Sequence, residues 1–203
     1  MGYKKGITNN RIKLGLVFMC LMGVVVLFTE SYWKGRGLTG DAMFLAGIIL
    51  AGIATVGRMW CSIYISGYKR DVLITAGPYS ASRNPLYFFS LMGSVGVGLA
   101  TRTFTIPAAV FIAFTIYYPF IIRKEEGRMS FIHGENFDKY RSSVPRFIPS
   151  FSRFDEPETY TIKPKYLRGR LFDSLWFIWF VGIVGFISAL HDYAVIPVFF
   201  RLY

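Results

Sequence analysis

Residues 85–122 read PLYFFSLMGSVGVGLATRTFTIPAAVFIAFTIYYPFII. Two apolar runs, Pro85 to Ala100 and Phe104 to Ile122, are separated only by Thr101, Arg102 and Thr103. A membrane-spanning helix needs about 20 mostly apolar residues, and proline is tolerated in a helix's first turn. The stretch therefore predicts a tight antiparallel pair of membrane helices.

Outward from this pair, three further apolar runs follow the same rule: Ile12 to Phe28, Ala42 to Ile65 and Leu171 to Leu190. Lys4, Lys5, Arg11 and Lys13 stand at the start of the first, as in a signal peptide. No small-x-small cleavage site follows, so the run reads as a retained helix with Tyr32 and Trp33 as interfacial anchors. Ala46, Gly47, Ala51, Gly52 and Ala54 give the second run a small-residue face suited to close packing. The last piece, Tyr193 to Tyr203, is too short to span and reads as interfacial or as half of a re-entrant hairpin. The expected fold is an all-α, polytopic membrane bundle in one domain, 1–203. It has four core transmembrane helices plus a C-terminal apolar helix or hairpin, 171–190, within an extension 151–203.

Composition agrees. Of 203 residues, 53% are hydrophobic and 17% charged, with mean hydropathy +0.41. Soluble domains carry roughly 25% charged residues. The net charge of +11 would suit nucleic acid, but runs this apolar point to an anionic membrane face instead. Cys20 and Cys61 both lie in apolar runs and form neither a disulfide framework nor a metal motif. Eighteen of the 23 Lys and Arg fall in the N-terminus, the 66–84 loop and the 123–170 segment. The positive-inside rule puts all three in the cytoplasm.

Two polar cytoplasmic segments carry the candidate chemistry. In the first, Gly77-Pro78 marks a turn, and Tyr79, Arg83, Asn84, Pro85 and Tyr87 follow it to the bundle mouth. The second opens with Glu125 and Glu126, where a carboxylate leaving the membrane must be hydrated or paired. It continues through Gly134, Phe137 and Tyr140 to Val144-Pro145-Arg146-Phe147-Ile148-Pro149. His133 reads as a surface residue of a polar turn. Gly93, Gly96 and Gly98 lie inside an apolar helix and read as packing residues, not as a dinucleotide fingerprint.

The order of these motifs resembles the isoprenylcysteine carboxyl methyltransferase family and, more loosely, the related phospholipid N-methyltransferases. The likeness covers about residues 42–150, and no residue after about Ser150 contributes to it. The resemblance implies a membrane enzyme whose cytoplasmic loops, 66–84 and 123–150, bind S-adenosylmethionine. Arg83, Asn84, Tyr87, Glu125 and Glu126 would contact the cofactor, while Gly77, Pro78, Tyr79 and Pro85 shape the loop. Many members carry His where this chain has Asn84, so no proton shuttle is assigned there.

An acceptor oxygen that is already ionised needs no base, which leans the reading towards a carboxylate or other acidic oxygen. Prenylcysteine-like carboxylates, phospholipid amines, lipid phosphates and small apolar thiols all stay open as acceptors. Arg146 and Arg58 are the candidates to orient an anionic head. Arg58, inside the second span, could instead snorkel to the interface or pair with Glu125 or Glu126. Two other readings stay open: an NADPH-dependent reductase of the sterol-reductase type, and a non-enzymatic membrane scaffold.

Overall fold

The computed structural model describes residues 3–68, 72–152 and 154–203, with the backbone alone for 3–12 and Leu14. The orientation argument's Lys69, Arg70 and Arg153, and the side chains of Lys4, Lys5 and Arg11, lie outside the described residues. The described chain is predominantly helical, as the apolar runs require. Its elements are α1 (Tyr3–Phe28), β1 (Thr29–Ser31), α2 (Leu38–Ile65), α3 (Pro78–Ala81), α4 (Pro85–Ala100), α5 (Thr105–His133), α6 (Glu135–Ser143), α7 (Pro164–Asp192) and β2 (Phe200–Leu202).

Three of the described helices, α2, α5 and α7, are long and apolar enough to cross a membrane. Helix α4 has 16 residues, about 24 Å at 1.5 Å per residue, short of the roughly 30 Å hydrocarbon core. Helix α1 has 26 residues, and its apolar run among the described side chains covers Gly15–Phe28. Helix α5 does not stop at Ile122. The charged stretch after it contains no proline, and its single Gly127 is tolerated inside the helix, so the helix runs on to His133 and carries Glu125 and Glu126 beyond the apolar stretch.

Helices α2 and α4 form the centre of the bundle, with α7 packed across both and α5 beside α4. Small residues set the central crossing. A Cβ on Gly47 would lie 2.6 Å from the Gly96 carbonyl oxygen, and one on Gly96 would lie 2.9 Å from the Ala51 nitrogen. Gly98 meets the Pro107 backbone in the same way, closing the α4–α5 hairpin. Thr55 donates to the Ser174 carbonyl at 3.2 Å, a polar link between α2 and the buried face of α7.

Helix α7 runs the length of the bundle, and the C-terminal piece does not re-enter it. Instead β2 pairs in parallel with β1, Thr29 opposite Phe200. The Tyr203 carbonyl accepts bonds from the Phe104 and Thr105 nitrogens at the start of α5. The β1–β2 pair, the 101–104 turn and the end of α7 thus close one end of the bundle. The loops carrying the candidate motifs lie at the other.

Candidate functional site

The site is built where α2 ends and α4 begins. Gly77 turns with φ +59°, and a side chain there would collide with the Tyr64 ring, 2.3 Å from its ideal Cβ. Only glycine suits that backbone and that closeness. Pro78 then fixes the first turn of α3, a single buried turn that points the chain at Arg83.

The segment 145–155 returns antiparallel to 77–83 and bonds to it. The Arg83 nitrogen donates to the Pro145 carbonyl at 2.9 Å, the Ser150 nitrogen to Ala81 at 2.9 Å, and the Gly77 nitrogen to Asp155 at 2.7 Å. Side chains reinforce the pairing: Ser82 donates to the Phe147 carbonyl at 3.0 Å, and Asn84 to the Arg146 carbonyl at 2.9 Å. Asn84 therefore holds a loop. Phe137 and Tyr140 are buried, and the Tyr140 hydroxyl donates to the Tyr79 carbonyl at 2.7 Å, fastening α6 to α3. Burial pushes the Tyr140 phenol well above its ordinary range; Glu126 adds to this and Arg83 opposes it. Tyr140 stays a donor at neutral pH.

This folding-back delivers a carboxylate shared by two guanidinium groups. Glu126 is 7% exposed. Its Oε1 meets Arg83 Nε at 3.0 Å, and its Oε2 meets an Arg146 terminal nitrogen at 2.8 Å. Arg83 also donates to the Arg141 carbonyl. Glu125 points towards α4, where the Tyr87 hydroxyl donates to its Oε2 at 3.0 Å. Adjacent helical residues diverge by about 100°, yet both glutamates find partners because this corner wraps from α4 round to the returning segment. Aromatic rings wall the cluster: Tyr87 edge-on to Tyr118 at 5.1 Å, Tyr118 stacked on Phe114, and Phe147 6.1 Å from Phe114.

The sequence reading thus finds Gly77, Pro78, Tyr79, Arg83, Asn84, Pro85, Tyr87, Glu125, Glu126 and Arg146 in one corner. Arg58 stands apart. It donates to the Ser90 hydroxyl on α4, while both Glu126 oxygens are taken by Arg83 and Arg146. His133 is only partly exposed, and its Nε2 is enclosed.

The aromatic wall was missed, although Tyr118 and Glu125 stand seven residues apart on one helical face. So was the strap after Ser150. Glu156 Oε1 accepts the Tyr64 hydroxyl at 2.9 Å and the Trp60 indole at 3.2 Å, and the Tyr160 hydroxyl donates to the Tyr64 carbonyl at 2.8 Å. Residues beyond the recognised motifs therefore clamp the end of α2.

A cavity of about 30 Å³ lies at the opposite end, lined by Glu30, Lys34, Arg102, Ser188 and His191 among others. Lys34 pairs with Glu30 at 3.5 Å and with Asp192, outside the lining, at 2.6 Å, and Arg102 pairs with Asp41 at 3.5 Å. The cavity is remote from Glu126. Among the described residues no three His, Cys, Asp or Glu side chains gather as metal ligands.

Comparison with known proteins bears on this geometry. The family model described as phospholipid methyltransferase matches residues 35–136, a stretch that includes Arg83, Glu125 and Glu126 and stops short of Arg146. The cobalt-zinc-cadmium resistance protein CzcN of Cupriavidus metallidurans is 33% identical over 190 residues, 94% of this chain and 87% of that protein. The nickel-cobalt-cadmium resistance protein NccN of Alcaligenes xylosoxydans xylosoxydans is 33% identical over 196 residues, 97% of this chain and 91% of that protein. No solved structure gives a significant match. The motifs first suggested the isoprenylcysteine branch, and the matching model is that of its phospholipid relatives: the chain belongs to the phospholipid methyltransferase family.

Proposed function

We propose that this protein is an S-adenosylmethionine-dependent methyltransferase acting on an acidic oxygen of a lipid or lipid-linked acceptor. The observation that carries the reading is the Arg83–Glu126–Arg146 cluster beside an aromatic wall, in a chain of this family. The donor set suits the cofactor. Arg83 can fork onto its carboxylate, Glu125 or Glu126 can hold its ammonium or offset its sulfonium, and Tyr87 or Tyr118 can cover its base. When bound, S-adenosylmethionine supplies an electrophilic methyl group for in-line displacement by an acceptor lone pair. The protein's part is proximity and alignment. Glu126 holds Arg83 and Arg146 in fixed directions, and the second of these stands at the outer edge to orient an anionic head. The exposed apolar faces of α7, with Phe172, Trp176, Trp179 and Phe186, support a lipid setting for the acceptor.

Titration calorimetry of the detergent-purified protein with S-adenosylmethionine and its demethylated product tests the class. Arg83→Ala is expected to weaken cofactor binding by roughly 30-fold or more, the loss of a desolvated charged partner being about 2–5 kcal/mol. Binding of NADPH instead would move the protein to the reductases, and binding of neither would favour a scaffold. The relatives' names suggest tolerance of transition-metal ions as the physiological setting. On that reading a strain made cadmium-tolerant by the wild type loses its tolerance with Arg83→Ala. Equal growth of the two strains would separate the setting from the site.

We further propose that the site faces the cytoplasm. In a background without Cys20, Leu38→Cys, 84% exposed, should react with an impermeant thiol reagent added outside cells. Ser142→Cys should not. The reverse labelling would invert the topology.

A further inference from the structure

We propose that the Tyr79 hydroxyl and Arg58 Nε together receive one anionic oxygen at the buried junction of α2, α3 and α4. The oxygen belongs either to a lipid-headgroup phosphate or to the carboxylate of the methyl donor. The proposal rests on the methyltransferase reading for the second source but not for the first.

Tyr79 is 6% exposed, and its hydroxyl has no hydrogen-bond partner. Its surroundings are otherwise well satisfied. Tyr140 donates to the Tyr79 carbonyl, Ser80 to Gly77, Ser82 to Phe147 and Tyr64 to Glu156. A buried polar atom left single in such a place calls for an explanation. Arg58 repeats the pattern on the facing helix: a terminal nitrogen is held by Ser90, while Nε is enclosed and unpartnered.

The two groups lie on one wall. Tyr79 packs in the same buried cluster as Cys61, and Cys61 follows Arg58 by three residues, on the same face of α2. The Arg58 charge reaches the Tyr79 phenol. Burial pushes that phenol well above its ordinary range, Cys61 and Tyr140 add to the push, and Arg58 opposes it. The phenol therefore keeps its proton, and a guanidinium carries donors only. Two donors with no bonded acceptor, one of them cationic, suit an oxyanion, although the Glu125 carboxylate also acts on the phenol. They would reject a quaternary ammonium and hold the ester oxygens of a neutral glyceride less strongly than an oxyanion.

The test uses the full chain in uncharged maltoside detergent, as wild type, Tyr79→Phe and Arg58→Gln. Each is titrated with S-adenosylhomocysteine and, separately, with short-chain phosphatidylglycerol, with dioctanoylglycerol as the uncharged control. Tyr79→Phe keeps the ring and removes one oxygen, so it decides the matter if Arg58→Gln does not fold. Affinity should fall about tenfold for Tyr79→Phe in one arm. A fall with S-adenosylhomocysteine assigns the donor carboxylate; a fall with phosphatidylglycerol assigns the headgroup. If the wild type binds no adenosyl ligand while the phosphatidylglycerol arm still falls, the methyltransferase reading is lost and the oxyanion site stands. Wild-type affinities for Tyr79→Phe in both arms, or an equal loss for dioctanoylglycerol, overturn the proposal.

Discussion

Glu126→Ala should leave a protein that binds no methyl donor and unfolds at a markedly lower temperature or denaturant concentration. Glu126 carries two ion pairs at 3.0 and 2.8 Å. Its own side chain and that of Arg83 are each only 9% exposed. Removing one partner of a buried pair leaves the other charge uncompensated and typically costs about 3–5 kcal/mol. The Arg146 pair adds less, because its guanidinium is 43% exposed and solvent screens it. Loss of the carboxylate would also free the segment 145–150 from α5, so the loop proposed to hold the cofactor loses its backing as well as a contact. Glu126→Gln separates the two effects. The amide keeps the shape and can accept one hydrogen bond but carries no charge, so it should recover part of the stability and little of the binding. A Glu126→Ala protein with wild-type stability and cofactor affinity would remove the cluster from the site.

How far the sequence reached is clearest in α4. Its expected limits, Pro85 and Ala100, are those observed, because a proline at one end and a polar turn at the other punctuate an apolar run. The Gly77-Pro78 turn was legible for the same local reason. The sharing of Glu126 was not. Arg83 and Glu126 are 43 residues apart, and their meeting with Arg146 depends on backbone pairing between 77–83 and 145–155, which no short-range pattern announces. The chain's end was equally opaque. Three-residue strands carry too little periodicity to be read, and β2 is fixed by its partner β1. Arg58 was left between orienting an anionic head, snorkelling and pairing with Glu125 or Glu126, because its distance from the helix end was the only guide; its partner Ser90 lies on another helix.

The α2–α4 crossing supports the last expectation, that Gly47→Leu prevents stable folding while Ile53→Leu does not. Tails of lipid are as apolar as leucine, so helices in a membrane associate through close packing more than through a hydrophobic drive. At Gly47 that closeness is extreme: an added Cβ would lie 2.6 Å from the Gly96 oxygen and 2.7 Å from the Ala100 nitrogen. All three nearest atoms are backbone, so no rotamer change can make room. Overpacking of a well-packed core costs about 1–3 kcal/mol, and more where the backbone must move. Here the helices must separate, and α7, packed across both, loses its seat with them. Ile53 lies on the same helix and is 48% exposed, so an isomeric side chain there tests the method and not the crossing. Yield of monodisperse protein and thermal midpoint in detergent provide the measurement. A Gly47→Leu protein as stable as wild type would mean that this crossing is not what holds the bundle together.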